Sequence, residues 1–120
     1  MKFHTVTIGD KDVNFRLTSA DAEAIEDKSK SPILDFITNV TMTNCVTTLM
    51  YMRKSEIPNF SKRDAQSLFD ELADNDFALE TIYKEIIFPT CVVSGLLTMA
   101  DLNKALSKME EATTEQATEE

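Results

Sequence analysis

Scarcity of glycine constrains this chain more than any other feature, because only Gly9 and Gly95 occur among its 120 residues. Prolines number three. Sandwiches and barrels need a tight turn between most successive strands, and those turns draw on glycine and proline. Hydrophobic residues make up 42% of the sequence, enough for a real core in a chain long enough for one domain. The sequence therefore excludes an all-β or wholly disordered chain and favours a mainly helical domain.

The first segment predicts a β-hairpin around Gly9-Asp10. Apolar residues alternate with polar ones on both sides of this pair, so the register must keep the apolar side chains on one face. A two-residue loop pairs Val6 with Val13, and a four-residue loop pairs Ile8 with Val13. A three-residue loop would set Val6 opposite Asn14 and split the apolar face. We therefore expect an even number of loop residues.

Helix-start signals recur through the rest of the chain. Three hydroxyl residues are each followed three positions later by aspartate, a pattern that resembles a capping box: Thr18 with Asp21, Ser61 with Asp64, and Thr98 with Asp101. Ser31-Pro32 predicts another start, with Ser31 as N-cap and Pro32 at the first helical position. Pro89 predicts either the end or a kink of a late helix, and Ser94-Gly95 predicts its C-cap.

These signals define the predicted fold class, which is mainly α with a small N-terminal β-hairpin (α+β). We expect a hairpin over residues 2–17 and five or six short helices from residue 19 onward, in one globular domain over 1–110. Residues 110–120 contain five Glu and no Lys or Arg, and we expect a flexible, disordered acidic tail over 111–120.

Apolar residues at helical spacing mark the predicted core. The clearest stripe is Ala65, Leu68, Phe69 and Leu72. Other stripes predict core positions at Ala22, Ile25, Ile33, Leu34, Ile37, Val40, Val46, Leu49, Met50, Leu79, Ile82, Tyr83, Ile86, Ile87, Met99, Leu102, Leu106 and Met109.

Catalytic chemistry has no visible basis in the sequence. His4 is the only histidine and would have to be the base of any nucleophilic centre, but neither Cys45 nor Cys91 has a motif neighbour to support one. The two cysteines and the histidine also lack metal-ligand spacing. With only two glycines there is no phosphate-binding loop. We therefore expect no catalytic, cofactor-binding or metal-binding residues and no cofactor.

The acidic loop that begins at Asp74 has the outline of a calcium-binding loop, since Glu85 falls at its twelfth position. Ala78 and Leu79 occupy positions that need a ligand and a turn glycine. The prediction is therefore a polar break between two helices.

Charge is distributed unevenly along the chain. Residues 1–60 carry 7 basic and 8 acidic side chains (net −1), and residues 61–120 carry 5 and 13 (net −8). A basic footprint for nucleic acid is absent. Apolar stretches are too short for a membrane helix, and Met1-Lys2-Phe3-His4-Thr5 has no apolar core of a signal peptide. We therefore expect a cytosolic protein with reduced, buried thiols and neither nucleic acid nor membrane as a partner.

Flexible apolar side chains cluster in the middle of the sequence, where Met42, Met50 and Met52 lie within eleven residues of one another and Phe60 follows. Such a stripe is typical of core packing. It is also typical of an adaptable surface that grips a helix of another protein. Both interpretations stay open, and we take Met42, Met50, Met52 and Phe60 as candidate partner-binding residues.

Four short segments carry a resemblance to a known family: Phe15-Arg16-Leu17-Thr18, Ile25-Glu26, Ser31-Pro32-Ile33-Leu34 and Ser94-Gly95-Leu96-Leu97. They resemble segments of the tail assembly chaperones of long-tailed bacteriophages, of the type found in phages and prophages of Gram-positive hosts. In that family a short hairpin ends in a similar Leu-Thr step. A helix containing Ile or Leu followed by Glu comes next, and then a helix that begins with proline.

The resemblance implies a non-enzymatic role in the host bacterial cytoplasm and absence from the mature virion. Such chaperones keep the tape-measure protein soluble and recruit tail-tube subunits, so both proteins are the implied partners. Many are also made with a C-terminal extension by ribosomal frameshifting, which would follow residues 112–120. Self-association is left open.

Other function classes stay open beside this one. The main alternative is an acidic inhibitor of phage origin that mimics DNA. Such a protein presents its carboxylates over a folded face, whereas five of the 21 acidic residues here lie within 110–120. An enzyme of unfamiliar type and a regulatory or structural adaptor are the remaining alternatives.

Overall fold

A computed structural model of the chain describes the backbone of residues 2–119 and the side chains of residues 2–109. A two-stranded antiparallel hairpin is followed by six helices, which confirms the predicted mainly α, α+β class. The elements are β1 (His4–Ile8), β2 (Lys11–Phe15), α1 (Ser19–Ser29), α2 (Ile33–Thr38), α3 (Met42–Arg53), α4 (Lys62–Asp74), α5 (residues 79–93) and α6 (Met99–Glu119). The flexible tail predicted over 111–120 lies outside the described side chains and stays a prediction.

The hairpin has the two-residue turn at Gly9-Asp10, and the four-residue alternative is wrong. Val6 pairs with Val13, and His4 pairs with Phe15. Gly9 has φ of +65° at the first central position of the turn, where a type II′ turn requires glycine. The even loop keeps the apolar face together, so that Val13 and Phe15 enter the core.

All three predicted hydroxyl–aspartate caps form. At α4 the Ser61 hydroxyl accepts from the Asp64 backbone N–H at 3.1 Å, and the Asp64 carboxylate accepts from the Ser61 N–H at 2.9 Å. The same reciprocal pair, at 3.1 Å each, opens α6 between Thr98 and Asp101. At α1 the Thr18 hydroxyl accepts from the backbone N–H of the residue three positions on, as a cap requires.

The predicted Ser31 cap of α2 is wrong. Pro32 is the N-cap residue, and no side chain of the segment itself caps the helix. The Glu26 carboxylate of α1 instead accepts a hydrogen bond from the Ile33 N–H at 2.8 Å. A carboxylate accepts a stronger hydrogen bond from an N–H than a hydroxyl does. Its negative charge is also stabilised by the partial positive charge at the N-terminus of the helix. The preceding helix therefore supplies the cap.

Helix α5 continues through Pro89 rather than ending there. Its three parts are Leu79–Ile82, a π-helical turn over Tyr83–Ile87, and Phe88–Val93. Proline has no N–H to donate, so the carbonyl four residues earlier, that of Glu85, loses its helical partner. The His4 ring Nε2 lies 2.8 Å from this carbonyl oxygen and replaces that partner.

The predicted C-cap at Ser94-Gly95 is confirmed as a Schellman motif. The Gly95 N–H donates to the Val92 carbonyl at 3.1 Å, and the Leu96 N–H donates to the Cys91 carbonyl at 2.8 Å. Gly95 has φ of +87°, a conformation that costs glycine little. The helix therefore ends where the second glycine of the chain stands.

One hydrophobic core joins the hairpin to all six helices. Most predicted core positions are buried or half-buried, with two clear exceptions. Leu34 is 45% exposed and Met99 is 60% exposed. Phe36, which the sequence pattern missed, is buried instead and packs with Ile37. Leu34 is exposed because it lines an open groove between α2 and α6.

A short junction directly after β2 holds the hairpin between two helices. The Arg16 N–H donates to the Met52 carbonyl at the end of α3, at 3.0 Å. The next residue, Leu17, donates its N–H to the Ser94 Oγ at the end of α5, also at 3.0 Å. Leu17 is buried. We call Arg16, Leu17 and these two acceptors the hairpin junction.

Arg53 reinforces the same contact from α3. Its guanidinium donates to the Asn14 carbonyl of β2 at 2.7 Å and to the Glu56 carboxylate at 2.9 Å. It also lies over the rings of Phe15 and Phe60, 6.0 and 5.8 Å from their centroids. Hydrogen bonds from the Asn14 amide and from Arg53 lower the pKa of the Glu56 carboxyl.

Ser94→Ala should destabilise the protein, because it leaves the buried Leu17 N–H without an acceptor. An orphaned buried donor costs about 1–3 kcal/mol, and urea unfolding will measure the loss. Ser107→Ala on the exposed face of α6 is the control and should stay close to wild type. Equal losses for the two variants would contradict the role of Ser94.

Asp64→Asn should lower the stability at neutral pH and reduce the further loss of stability that the protein shows as the pH falls into the acid range. Hydrogen bonds from the Ser61 backbone N–H and hydroxyl lower the pKa of Asp64 from its usual 3.8. A carboxyl with a lowered folded-state pKa stabilises the fold above pH 3.8, and the contribution is lost as the pH falls through the folded-state pKa. Unfolding curves for wild type and Asp64→Asn should therefore differ at neutral pH and converge in acid. Asp27→Asn on α1 is the control. If the free energy of unfolding of the wild type stays higher than that of Asp64→Asn throughout the acid range, this account is contradicted.

Candidate functional site

The four candidate partner-binding residues do not form one surface. Met42, the first residue of α3, is 46% exposed, whereas Met50 is 9% and Met52 1% exposed. Phe60 is buried under the Arg53 guanidinium. The structure therefore places Met50, Met52 and Phe60 in the core, and leaves Met42 as the member of the set that a partner can reach.

A concavity lies between α2 and α6, and we call it the α2–α6 groove. Its volume is about 480 Å³. Its apolar lining consists of Leu34, Val40, Phe88, Leu97, Ala105 and Met109. Exposed Leu34 stands on its α2 side, so the groove presents apolar surface to solvent without any rearrangement.

Charged side chains line the α6 side of this groove. Lys104 and Lys108 are four residues apart and so lie on one face of the helix. Asp101 stands one turn earlier, where hydrogen bonds from the Thr98 N–H and hydroxyl, aided by Lys104, lower the pKa of its carboxyl. An apolar floor beside two cations suits an amphipathic helix that carries acidic residues on its flank.

A second groove of about 430 Å³ lies between α3 and α4, and we call it the α3–α4 groove. Met42, Val46 and the half-buried Phe69 supply its apolar part, and Lys62, Gln66 and Asp70 supply its polar part from α4. Phe69 was predicted as a core residue on the α4 stripe. It reaches the edge of the core and faces this groove.

The nucleophilic and metal-ligating side chains are not brought together. Both cysteines are free and buried, and burial raises the pKa of the Cys45 and Cys91 thiols to about 12. They are therefore protonated at neutral pH and unreactive in this environment. The Nε2 atom of His4 is hydrogen-bonded to the Glu85 carbonyl oxygen. Within residues 2–109, no three His, Cys, Asp or Glu side chains converge closely enough to hold a metal ion.

Comparison of the sequence with protein-family models and with curated proteins, and of the fold with solved structures, gives no match. Among the described residues, no helix combines the length and the apolar composition that a bilayer crossing needs. The function of the chain is therefore inferred from the surfaces that its structure exposes and from the segments that carry the family resemblance.

Sequence reasoning missed the α2–α6 groove, because its two sides come from positions about 70 residues apart. The pattern did contain one signal. Helix α2 has only six residues, and four of them are apolar: Ile33, Leu34, Phe36 and Ile37. At 3.6 residues per turn these side chains spread over roughly 160° of the helix, and Leu34 lies at one edge of this arc.

Proposed function

We propose that this protein is a tail assembly chaperone of a long-tailed bacteriophage or prophage. It keeps the tape-measure protein soluble in the host bacterial cytoplasm, recruits tail-tube subunits to it, and has no enzymatic activity. It does not remain in the mature virion. The proposal rests on the resemblance of four sequence segments to that family and on the contacts that those segments make.

The observation that carries the proposal is that the separate segments of the resemblance contact one another. The Leu-Thr step after the hairpin meets the late Ser-Gly element, where the Leu17 N–H donates to the Ser94 Oγ. The Ile-Glu pair of α1 meets the proline-led helix, where the Glu26 carboxylate caps Ile33. Residues that hold a fold together at matching positions support a shared fold. A shared fold does not by itself imply a shared function, so the proposed role rests on the client-binding surface and on the experiment below.

The α2–α6 groove is the surface we assign to the client. A long helical client offers apolar residues at i, i+3, i+4 and i+7, which fit a groove with an apolar floor. Leu34 provides exposed apolar surface, and Lys104 and Lys108 can pair with acidic residues beside the client's apolar stripe. The net charge of −9 favours a soluble complex once the apolar surface of the client is covered.

Co-expression with the tape-measure protein encoded in the same phage or prophage tests the proposal. The client should move from the insoluble to the soluble fraction and co-elute with the wild-type protein. Leu34→Glu, which places a charge in the groove, should reduce the co-eluting client by roughly tenfold or more, as truncation of a central interface residue does.

Ile57→Glu is the matched control, because Ile57 is an exposed apolar residue outside both grooves. It should retain the client as wild type does, and circular dichroism should show both variants folded. A client that stays insoluble with the wild-type protein would overturn the proposed function. Equal capture by wild type and Leu34→Glu would overturn the assignment of the groove.

A further inference from the structure

We propose that the α3–α4 groove is a self-association surface, where two copies of this chain pair about a two-fold axis with their α4 helices antiparallel. The surface is separate from the α2–α6 groove assigned to the client. The test of self-association is therefore independent of the test of the chaperone role.

The charge pattern along α4 favours a second copy over an unrelated partner. Lys62, Gln66 and Asp70 follow at intervals of four residues and all line the groove. The two charges are opposite and stand about 12 Å apart along the helix. In an antiparallel pair centred on Gln66, each Lys62 lies beside Asp70 of the other copy, so the surface is complementary to itself.

Within residues 2–109, neither of these two charges has an ionic partner. The ion pairs among the described residues are Lys11 with Glu71, at 2.8 Å, and Arg53 with Glu56, at 2.9 Å. Lys62 and Asp70 belong to neither pair. Both are exposed, so a second copy can reach them without breaking an existing bond.

Apolar side chains supply the middle of the proposed interface. Met42 is 46% exposed at the start of α3, and half-buried Phe69 extends beside it from α4. Val46 forms the floor of the groove. Methionine adapts its shape to a neighbour, and covering Met42 and Phe69 removes apolar surface from water.

The net charge of −9 sets the conditions under which pairing is expected. Two such copies repel each other at long range, but physiological salt screens charges beyond roughly 8 Å. Contacts across the groove are shorter than this and persist. A surface of two helices is small for an interface, so we expect a weak dimer that forms as the protein concentration rises.

Sedimentation equilibrium from low micromolar to millimolar protein, at physiological salt, tests the proposal. Wild type should shift from monomer to dimer across this range. Lys62→Glu and Asp70→Lys should each remain monomeric, because each places like charges opposite one another at both ends of the interface. An equimolar mixture of the two variants should form a heterodimer, since the introduced charges are then complementary.

The double variant K62E/D70K should dimerise as wild type does, because the exchange restores both pairs. Lys28→Glu and Asp27→Lys on α1 are the controls. They change the net charge by the same amounts away from the groove and should leave dimerisation intact. The proposal is overturned if wild type remains monomeric throughout, if either single variant at position 62 or 70 dimerises as wild type does, or if their mixture stays monomeric.

Discussion

Two consecutive backbone N–H groups, those of Arg16 and Leu17, fix the position of the hairpin on which the rest of the fold depends. One donates to the end of α3 and the other to the side chain of Ser94 at the end of α5. The same segment leads directly into the Thr18 cap of α1. A single stretch of chain therefore sets the hairpin, the first helix and the ends of two later helices relative to one another. The His4 contact with the Glu85 carbonyl adds a second tie between β1 and α5.

Features that depend on neighbouring residues could be predicted from the sequence. The parity of the hairpin loop, the Ser61 and Thr98 caps and the Gly95 helix end all follow from chemistry within a few positions. The Ser31 cap failed because Glu26, seven residues before the N–H that it caps, competes for the same helix end. Leu34 was assigned to the core because its spacing fits a stripe, but it lines the open α2–α6 groove and is exposed there.

The candidate site was harder to predict than the fold, for a related reason. The spacing of methionines along a helix is the same whether they pack in a core or line a binding surface, so the sequence does not distinguish the two. In the structure Met50 and Met52 are in the core, whereas Met42 is exposed. A groove is a property of two elements, and α2 and α6 meet only after the chain has folded. The α2–α6 and α3–α4 grooves are both lined with apolar side chains, and their different charge patterns support different partners: a client helix for the first and a second copy for the second.

Native-state hydrogen exchange of the Arg16 and Leu17 amides tests the central role of the hairpin junction most directly. If the junction anchors the fold, both amides exchange only when the whole protein unfolds, with the same free energy of opening as core amides of α3 such as that of Leu49. If both amides exchange through local opening, at a free energy well below that of global unfolding, the hairpin is peripheral and the junction does not anchor the fold.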